Sequence, residues 1–132
     1  MGKVLIVDER EKQWQKSNPK TWAGAREGEP SVRYKVLLSS LSSSAGEGRP
    51  AVAAPGEAGA PNVQLAEYEA GHVERPHSHP HDELLYILRG KGTIGERTLE
   101  PGIMLFIEKD TVYGPLSTGK EGLAFLRVQL SK

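Results

Sequence analysis

Residues 71–90 read GHVERPHSHPHDELLYILRG. This stretch holds all four histidines of the chain, three of them at two-residue intervals. Side chains two residues apart share one face of an extended strand, so His77 and His79 aim the same way. Glu83 has the same parity, and Pro80 indicates a bend between them. Two imidazoles and one carboxylate resemble the donor set that holds ferrous iron and leaves positions open for substrate and dioxygen.

Short apolar segments separated by glycine and proline surround this stretch. The chain has 15 glycines and nine prolines, which favour many short strands over long helices. The predicted strands are residues 4–7, 32–38, 63–69, 83–88, 103–107 and 123–130. Gly90, Gly92 and Gly95 are interpreted as turn positions. Strands at this spacing are typical of a sandwich or barrel.

The run from Leu84 to Leu88 is apolar on both faces of its strand. Leu85 and Ile87 share the parity of the glutamate at position 83, so we expect them to line the barrel. The opposite face, which includes Tyr86, is apolar too and needs cover from the N-terminal segment or a second subunit. Further residues expected in the core are Met104, Phe106 and Phe125.

Two stretches match the sequence patterns of phosphate-binding loops, but the residues around them do not fit such loops. Residues 90–95 fit GxGxxG, but another turn follows at Pro101 and Gly102 where a dinucleotide-binding helix would have to begin. A hairpin is the better interpretation. Residues 114–120 fit GxxxxGK, yet Glu121 replaces the hydroxyl that would hold magnesium, and a strand is predicted to follow.

Length and composition predict one domain over residues 1–132. Within it we expect N-terminal strands and an extension over 1–39, a flexible loop rich in Ser, Ala, Gly and Pro over 40–61, and the barrel over 62–130. Seventeen basic and 17 acidic residues argue against a nucleic-acid groove, which needs a basic excess. The absence of cysteine excludes disulfides and thiolate metal ligands. With no targeting or membrane-spanning segment in the sequence, a soluble cytoplasmic protein is expected.

The spacing from Gly71 to Gly90 resembles the first conserved motif of the cupin superfamily without a mismatch. The second cupin motif is degenerate. Gly102 fits its first position, but Glu108 and Asp110 stand where the family usually has proline and often has glycine. Tyr113 stands where the family has its last histidine ligand. Ser117 replaces the asparagine of that motif. The resemblance covers roughly residues 62–130.

The resemblance implies an all-β fold, a small antiparallel jelly-roll barrel that holds one divalent metal ion, such as iron, manganese, nickel or zinc. Carried over by position, His77, His79 and Glu83 become the metal ligands. Tyr113 is then expected to line the pocket or to hydrogen-bond a metal-bound water or ligand, with phenolate ligation as the alternative. His81 is either a solvent-exposed imidazole or a further ligand. The remaining histidine, at position 72, has no partner in the pattern.

Two classes of function stay open, because the cupin barrel carries many chemistries. One is a metal-dependent oxidoreductase of the dioxygenase type, acting on a small oxygenated organic molecule. The other is a non-catalytic small-molecule-binding or sensing protein, which the lost histidine favours. The expected partners are a small molecule and a second copy of the chain, since cupins usually form dimers through such apolar faces. No nucleic-acid or membrane partner is expected.

Overall fold

Antiparallel strands make up nearly all of the regular structure. The computed structural model describes residues 4–16, 32–39 and 61–130. These ranges hold one short 3-10 helix and eight strands: Glu9–Glu11, β1 (Gln15–Lys16), β2 (Val32–Leu38), β3 (Asn62–Tyr68), β4 (Val73–Glu74), β5 (Glu83–Ile94), β6 (Arg97–Leu99), β7 (Met104–Ile107) and β8 (Leu116–Gln129). Across the same ranges, no helix has both the length and the apolar character needed to span a membrane.

The longest strand, β8, organises the sheet. It pairs with β3 on one side and with β5 on the other, and its beginning also pairs with β4. The sheet order is β1-β2-β3-β8-β5-β6, with β7 added to β5, and every pairing is antiparallel. This architecture confirms the predicted antiparallel jelly roll.

The core lies on the inner face of β3, β8 and β5. The strand register aligns Ala66, Phe125 and Ile87 in one row across these three strands, and all three are buried. Leu85 lies two residues before Ile87 and is buried as well, because side chains alternate between the two faces of a pleated strand. The predicted inward positions of Leu85, Ile87 and Phe125 are therefore confirmed.

The interpretation of Gly90 and Gly92 as turn positions is wrong. Both lie inside β5, where the pairing with β8 shifts register at bulges. Gly90 has a φ of +88°, and a Cβ atom there would lie 2.2 Å from the carbonyl oxygen of Gly122 on β8. Only glycine permits this conformation and this approach. Gly95 does lie in the turn between β5 and β6, so residues 90–95 belong to a hairpin, as predicted.

Two further expectations about apolar residues are wrong. Residues 4–7 form no strand and are exposed. Met104 and Phe106 were expected in the core, but they are 54% and 52% exposed. The reason is their register, since Met104 pairs with Tyr86 and Phe106 with Leu84, both on the outer face of β5. An apolar run does not reveal its inward face when both faces are apolar.

The remaining strand predictions hold, with some differences in length. β2 has the predicted bounds, β3 is shifted by one residue at both ends, and β7 begins one residue later than predicted. β5 and β8 are much longer than predicted, because both continue through glycines as bulged strands. The predicted flexible loop over residues 40–61 lies, apart from Pro61, outside the described residues. The division into 1–39, 40–61 and 62–130 stays a prediction.

Candidate functional site

The segment between β4 and β5 lies against the segment between β7 and β8. His77 and Tyr113 exchange two backbone hydrogen bonds, with N···O distances of 3.1 and 3.0 Å. The Asp110 N–H donates to the carbonyl of His79 at 2.7 Å. The rings of His77 and Tyr113 are 4.8 Å apart. The backbone thus brings the first-motif histidines beside the position where the second motif has tyrosine.

Three side chains contact the carboxylate of Glu83. It is fully buried at the start of β5. The Tyr113 hydroxyl donates to its Oε1 at 3.0 Å, and Gln129 Nε2 donates to its Oε2 at 3.1 Å. Arg127 Nε lies 3.3 Å from the same Oε2. Burial alone would raise the pKa of Glu83, but Arg127, His79 and the two hydrogen bonds outweigh it and lower the pKa. The side chain is therefore a carboxylate.

His79 presents a neutral ring, which is the form that binds metals. His77 Nδ1 lies 2.8 Å from the carbonyl oxygen of Arg75, a hydrogen bond in which Nδ1 is the donor and Nε2 is the ring nitrogen that is not used. His79 Nε2 lies 3.8 Å from Glu83 Oε1. Burial lowers the pKa of His79 to about 4, although the Glu83 charge opposes this shift. The rings of His77 and His79 are 4.8 Å apart.

His81 is buried, so the first of its two alternative interpretations, a solvent-exposed imidazole, is wrong. Only 5% of the residue is exposed, and its ring lies 5.4 Å from that of His79. Burial lowers the pKa of His81 as well, so this ring is neutral. Neither ring nitrogen has a hydrogen-bond partner within the described part of the chain. The bend at Pro80 turns this side chain inward instead of into solvent.

Tyr113 is a phenol in this arrangement. Burial, followed by the charge of Glu83, raises its pKa well above the ordinary value. Its hydroxyl holds the proton and donates it to the carboxylate. The geometry therefore supports a hydrogen-bonding role for Tyr113 over phenolate ligation.

A second polar group lies deeper in the barrel, and the sequence reasoning missed it. Arg127 donates to Gln64 Oε1 at 3.2 Å and to the Tyr68 hydroxyl at 3.0 Å. Tyr68 in turn donates to Glu74 Oε2 at 2.9 Å, and burial raises the pKa of that carboxyl group. Arg127 shares the parity of the core residue Phe125, and this parity was a usable signal for an inward-facing guanidinium.

His72 and Ser117, the other two residues considered from the sequence, lie in other parts of the fold. His72 is fully buried, and its ring meets the edge of Tyr68 at 4.7 Å. Ser117 lies in β8, opposite Val73 of β4.

The donor chemistry fits a divalent metal, but the side chains do not converge on one point. In residues 4–16, 32–39 and 61–130, no group of three or more His, Cys, Asp or Glu side chains is placed close enough to hold an ion. The neutral imidazoles, the carboxylate 3.8 Å from His79 and the unpartnered nitrogens of His81 are the features that fit. Binding would require the carboxylate of Glu83 to turn from its present donors.

A cavity of about 480 Å³ lies away from these histidines. Arg33 and Arg89 both bind the carboxylate of Glu67 at its wall. Glu67 alternates with the buried residues Ala66 and Tyr68, so it points away from the barrel interior. This charged groove is therefore separate from the candidate site.

Comparison with known proteins identifies the class of this protein. Residues 64–129, half of the chain, match the family model of the cupin domain, so the chain belongs to the cupin family. No curated protein is significantly similar in sequence.

Solved structures share the fold at low sequence identity. KdgF from a Halomonas species is 16% identical, with a TM-score of 0.63, over 98% of this chain and 96% of that chain. A predicted oxalate decarboxylase from Thermotoga maritima is 19% identical, with a TM-score of 0.67, over 97% of this chain and 100% of that one. The polyketide cyclase RemF from Streptomyces resistomycificus is 17% identical, with a TM-score of 0.66, over 98% and 81%. At these identities the likeness extends to the fold alone.

Proposed function

We propose that this cupin binds a small oxygenated organic molecule with the help of one divalent metal ion held by His77, His79 and Glu83. One observation carries the proposal: a neutral imidazole, His79, lies 3.8 Å from the buried carboxylate of Glu83. A buried pair of this kind is a ready nitrogen and oxygen donor set for iron, manganese, nickel or zinc. His77 packs against His79 and completes the set.

The protein's own residues would fix the geometry of this site. A bound metal would supply Lewis acidity and, as iron, a binding position for dioxygen. The Arg75 carbonyl orients the His77 ring and leaves Nε2 free. Tyr113 keeps its proton at the hydroxyl oxygen and offers it as a hydrogen bond to the carboxylate or to an oxygen of the bound molecule.

The polar side chains of the barrel support an oxygenated ligand. Gln64 and Arg127 lie in one row with buried Leu85, and Gln129 lies in the row of buried Glu83, so their polar groups face the interior. Gln129 Oε1 is buried and accepts no hydrogen bond within the described residues. A ligand hydroxyl would satisfy this acceptor, and carbonyl or carboxylate oxygens would suit the donors.

Metal titration tests this function. Metal-free protein is titrated with Fe²⁺, Mn²⁺, Ni²⁺ and Zn²⁺ under anaerobic conditions, and the bound metal is counted. We expect one ion per chain for the wild type and for His72→Ala, whose histidine lies outside the cluster. We expect none for His77→Ala and Glu83→Ala. If the wild type binds none of the four ions, the proposed metal site is wrong.

The reaction type separates the two functional classes. A dioxygenase is our proposal for the enzyme class, and iron-loaded protein should then consume dioxygen in the presence of diketone, phenolic or hydroxyketone compounds. The three donors on Glu83 favour the alternative, a binding or sensing protein, because the carboxylate is already satisfied without a metal. Ligand binding without oxygen consumption would establish that alternative.

We also propose that a second copy of the chain covers the outer face of β5 and β7. Tyr86, Met104 and Phe106 are exposed side by side there, where the register pairs Tyr86 with Met104. Residues 4–7 are themselves exposed, so this segment does not cover the face. A twofold dimer would bury the apolar patch of both copies. Sedimentation analysis should give a dimer for the wild type and a monomer for Phe106→Glu, and a monomeric wild type would refute the dimer.

A further inference from the structure

A row of mostly charged side chains crosses the outer face of the sheet, away from the histidines. The strand register aligns one residue from each of five strands, β1, β2, β3, β8 and β5: Lys16, Arg33, Glu67, Ala124 and Arg89. All five line the groove of about 480 Å³, a volume typical of small-molecule sites. Ala124 is the small residue of the row, and its short side chain lets Arg89 reach across β8 to Glu67. The row holds three cations and one anion, which leave a net charge of +2 on this side of the groove.

One carboxylate holds both arginines in place. Arg33 Nε donates to Glu67 Oε1 at 2.7 Å, and the Arg33 guanidinium lies 4.0 Å from the centre of the Trp14 ring. Arg89 uses Nη2 to bind the other oxygen, Oε2. Within the described residues the remaining N–H groups of Arg89 and the ammonium of Lys16 have no acceptor. The row therefore presents oriented cationic donors that an anionic group of a ligand can use.

The other end of the groove is acidic. Glu69 and Glu121 line it there. Glu69 follows Glu67 by two residues, and Glu121 precedes Leu123, the partner of Tyr68, by two residues on β8. At about 3.3 Å per residue, the two carboxylates begin about 7–10 Å along the strands from the basic row. The groove thus has a basic side and an acidic side, and its lining is neutral in sum.

A neutral groove with separated charges suits a ligand that is neutral in sum and carries its two charges equally far apart. An extended chain spans about 3.3–3.6 Å per residue, so a separation of about 7–10 Å corresponds to a peptide of two or three residues with free ends. A single amino acid carries both charges on one carbon and cannot span the groove.

We propose that this groove binds short peptides of two or three residues with free termini. The terminal carboxylate accepts hydrogen bonds from Arg89 and Lys16, and the terminal ammonium donates to Glu121. Arg33 and Glu67 position Arg89 for this contact. The site lies outside the barrel, and its binding does not depend on a metal ion at the histidines.

Peptide titration tests the proposal on metal-free protein. Dialanine and trialanine are added to ¹⁵N-labelled protein, and the shifts of backbone amides are followed by NMR. We expect saturable changes at the residues that line the groove. The N-acetylated and C-amidated forms of the same peptides lose one charge each and should bind about tenfold more weakly or worse, as loss of a hydrogen bond to a charged group implies. Absence of binding by the free peptides, or equal binding by the blocked ones, would overturn the proposal.

Charge variants locate the binding site. Arg89→Gln and Glu121→Gln each remove one charge from the groove, and both should weaken binding about tenfold. Arg97→Gln and Glu96→Gln are the matched controls, because both residues are exposed in the hairpin of β5 and β6 and do not line the groove. Similar losses in all four variants would show a general charge effect and no site in the groove. In Glu121→Gln, acetylation of the peptide should weaken binding less than it does in the wild type. An equal effect of acetylation in both proteins would show that the ammonium does not meet Glu121.

Discussion

Replacing Arg127 with methionine should destabilise the protein by about 3–5 kcal/mol at neutral pH, the usual effect of removing one partner of a buried ion pair. The guanidinium lies 3.3 Å from Glu83 Oε2 and hydrogen-bonds Gln64 and Tyr68. Methionine fills a similar volume but leaves the carboxylate without its cation. Because Tyr113 still donates to Glu83, we expect a value toward the lower end of this range.

The loss should depend on pH in a defined direction. The folded-state pKa of Glu83 is lowered, mainly by Arg127 against the opposing effect of burial. A depressed carboxyl pKa stabilises the fold above the unfolded-state value of about 4.3, and this contribution is lost as the pH falls through the folded-state pKa. Without Arg127, burial raises the pKa of Glu83. The difference between variant and wild type should therefore shrink as the pH falls from the raised pKa of Glu83 in the variant, through about 4.3, to the lowered pKa in the wild type, and it should be smaller at pH 4 than at pH 7.

Urea denaturation followed by circular dichroism at pH 7 and at pH 4 measures both effects. Arg33→Met is the control, because Arg33 binds Glu67 at the exposed surface and such pairs contribute less than about 1 kcal/mol. The double variant Arg127→Met/Glu83→Gln should be more stable than Arg127→Met alone at pH 7. A loss below about 1 kcal/mol, equal at both pH values, would refute the buried ion pair.

Tyr113→Phe should keep the metal content of the wild type, measured by elemental analysis, and should bind the small-molecule ligand more weakly. Tyr113→His should bind metal more tightly than the wild type. Loss of metal in Tyr113→Phe would instead support phenolate ligation. Gly90→Ala should lower the free energy of unfolding in urea by about 2 kcal/mol or more, because the new Cβ atom would meet the Gly122 carbonyl oxygen. Gly71→Ala is the control: its Cβ atom would lie in open space, so only its positive φ should cost stability, about 1–2 kcal/mol. Equal losses would show that the close approach of β5 and β8 is unimportant. Shortening residues 42–60 to a few residues should leave the melting temperature nearly unchanged, since each halving of a flexible loop changes its closure by about 0.6 kcal/mol, and a large drop would mean that this segment packs on the barrel.

The fold could be predicted because one long motif fixes both a turn and the strand that follows it. Leu85 and Ile87 were correctly predicted to face inward, because they share the parity of Glu83, the candidate metal ligand of the same strand. The same reasoning failed for Met104 and Phe106. Their strand carries no polar residue to distinguish its faces, so only the pairing with β5 shows that they point outward.

The candidate site could be predicted only in part, because its contacts join residues far apart in sequence. The histidines and Glu83 come from one motif, but Arg127 and Gln129 reach Glu83 through the pairing of β5 with β8. No local pattern reveals that a carboxylate is already bound by a guanidinium. The burial of His81 likewise depends on the bend at Pro80, whose direction the sequence does not specify.

Crystals of the protein grown with Mn²⁺ or Zn²⁺ and measured at the absorption edge of the metal would show whether His77, His79 and Glu83 bind an ion. We predict one anomalous peak per chain inside the barrel, within about 2.0–2.3 Å of donor atoms of His77, His79 and Glu83, with the carboxylate turned away from Arg127. A barrel without a peak, in which Glu83 still binds Arg127, Gln129 and Tyr113, would contradict it.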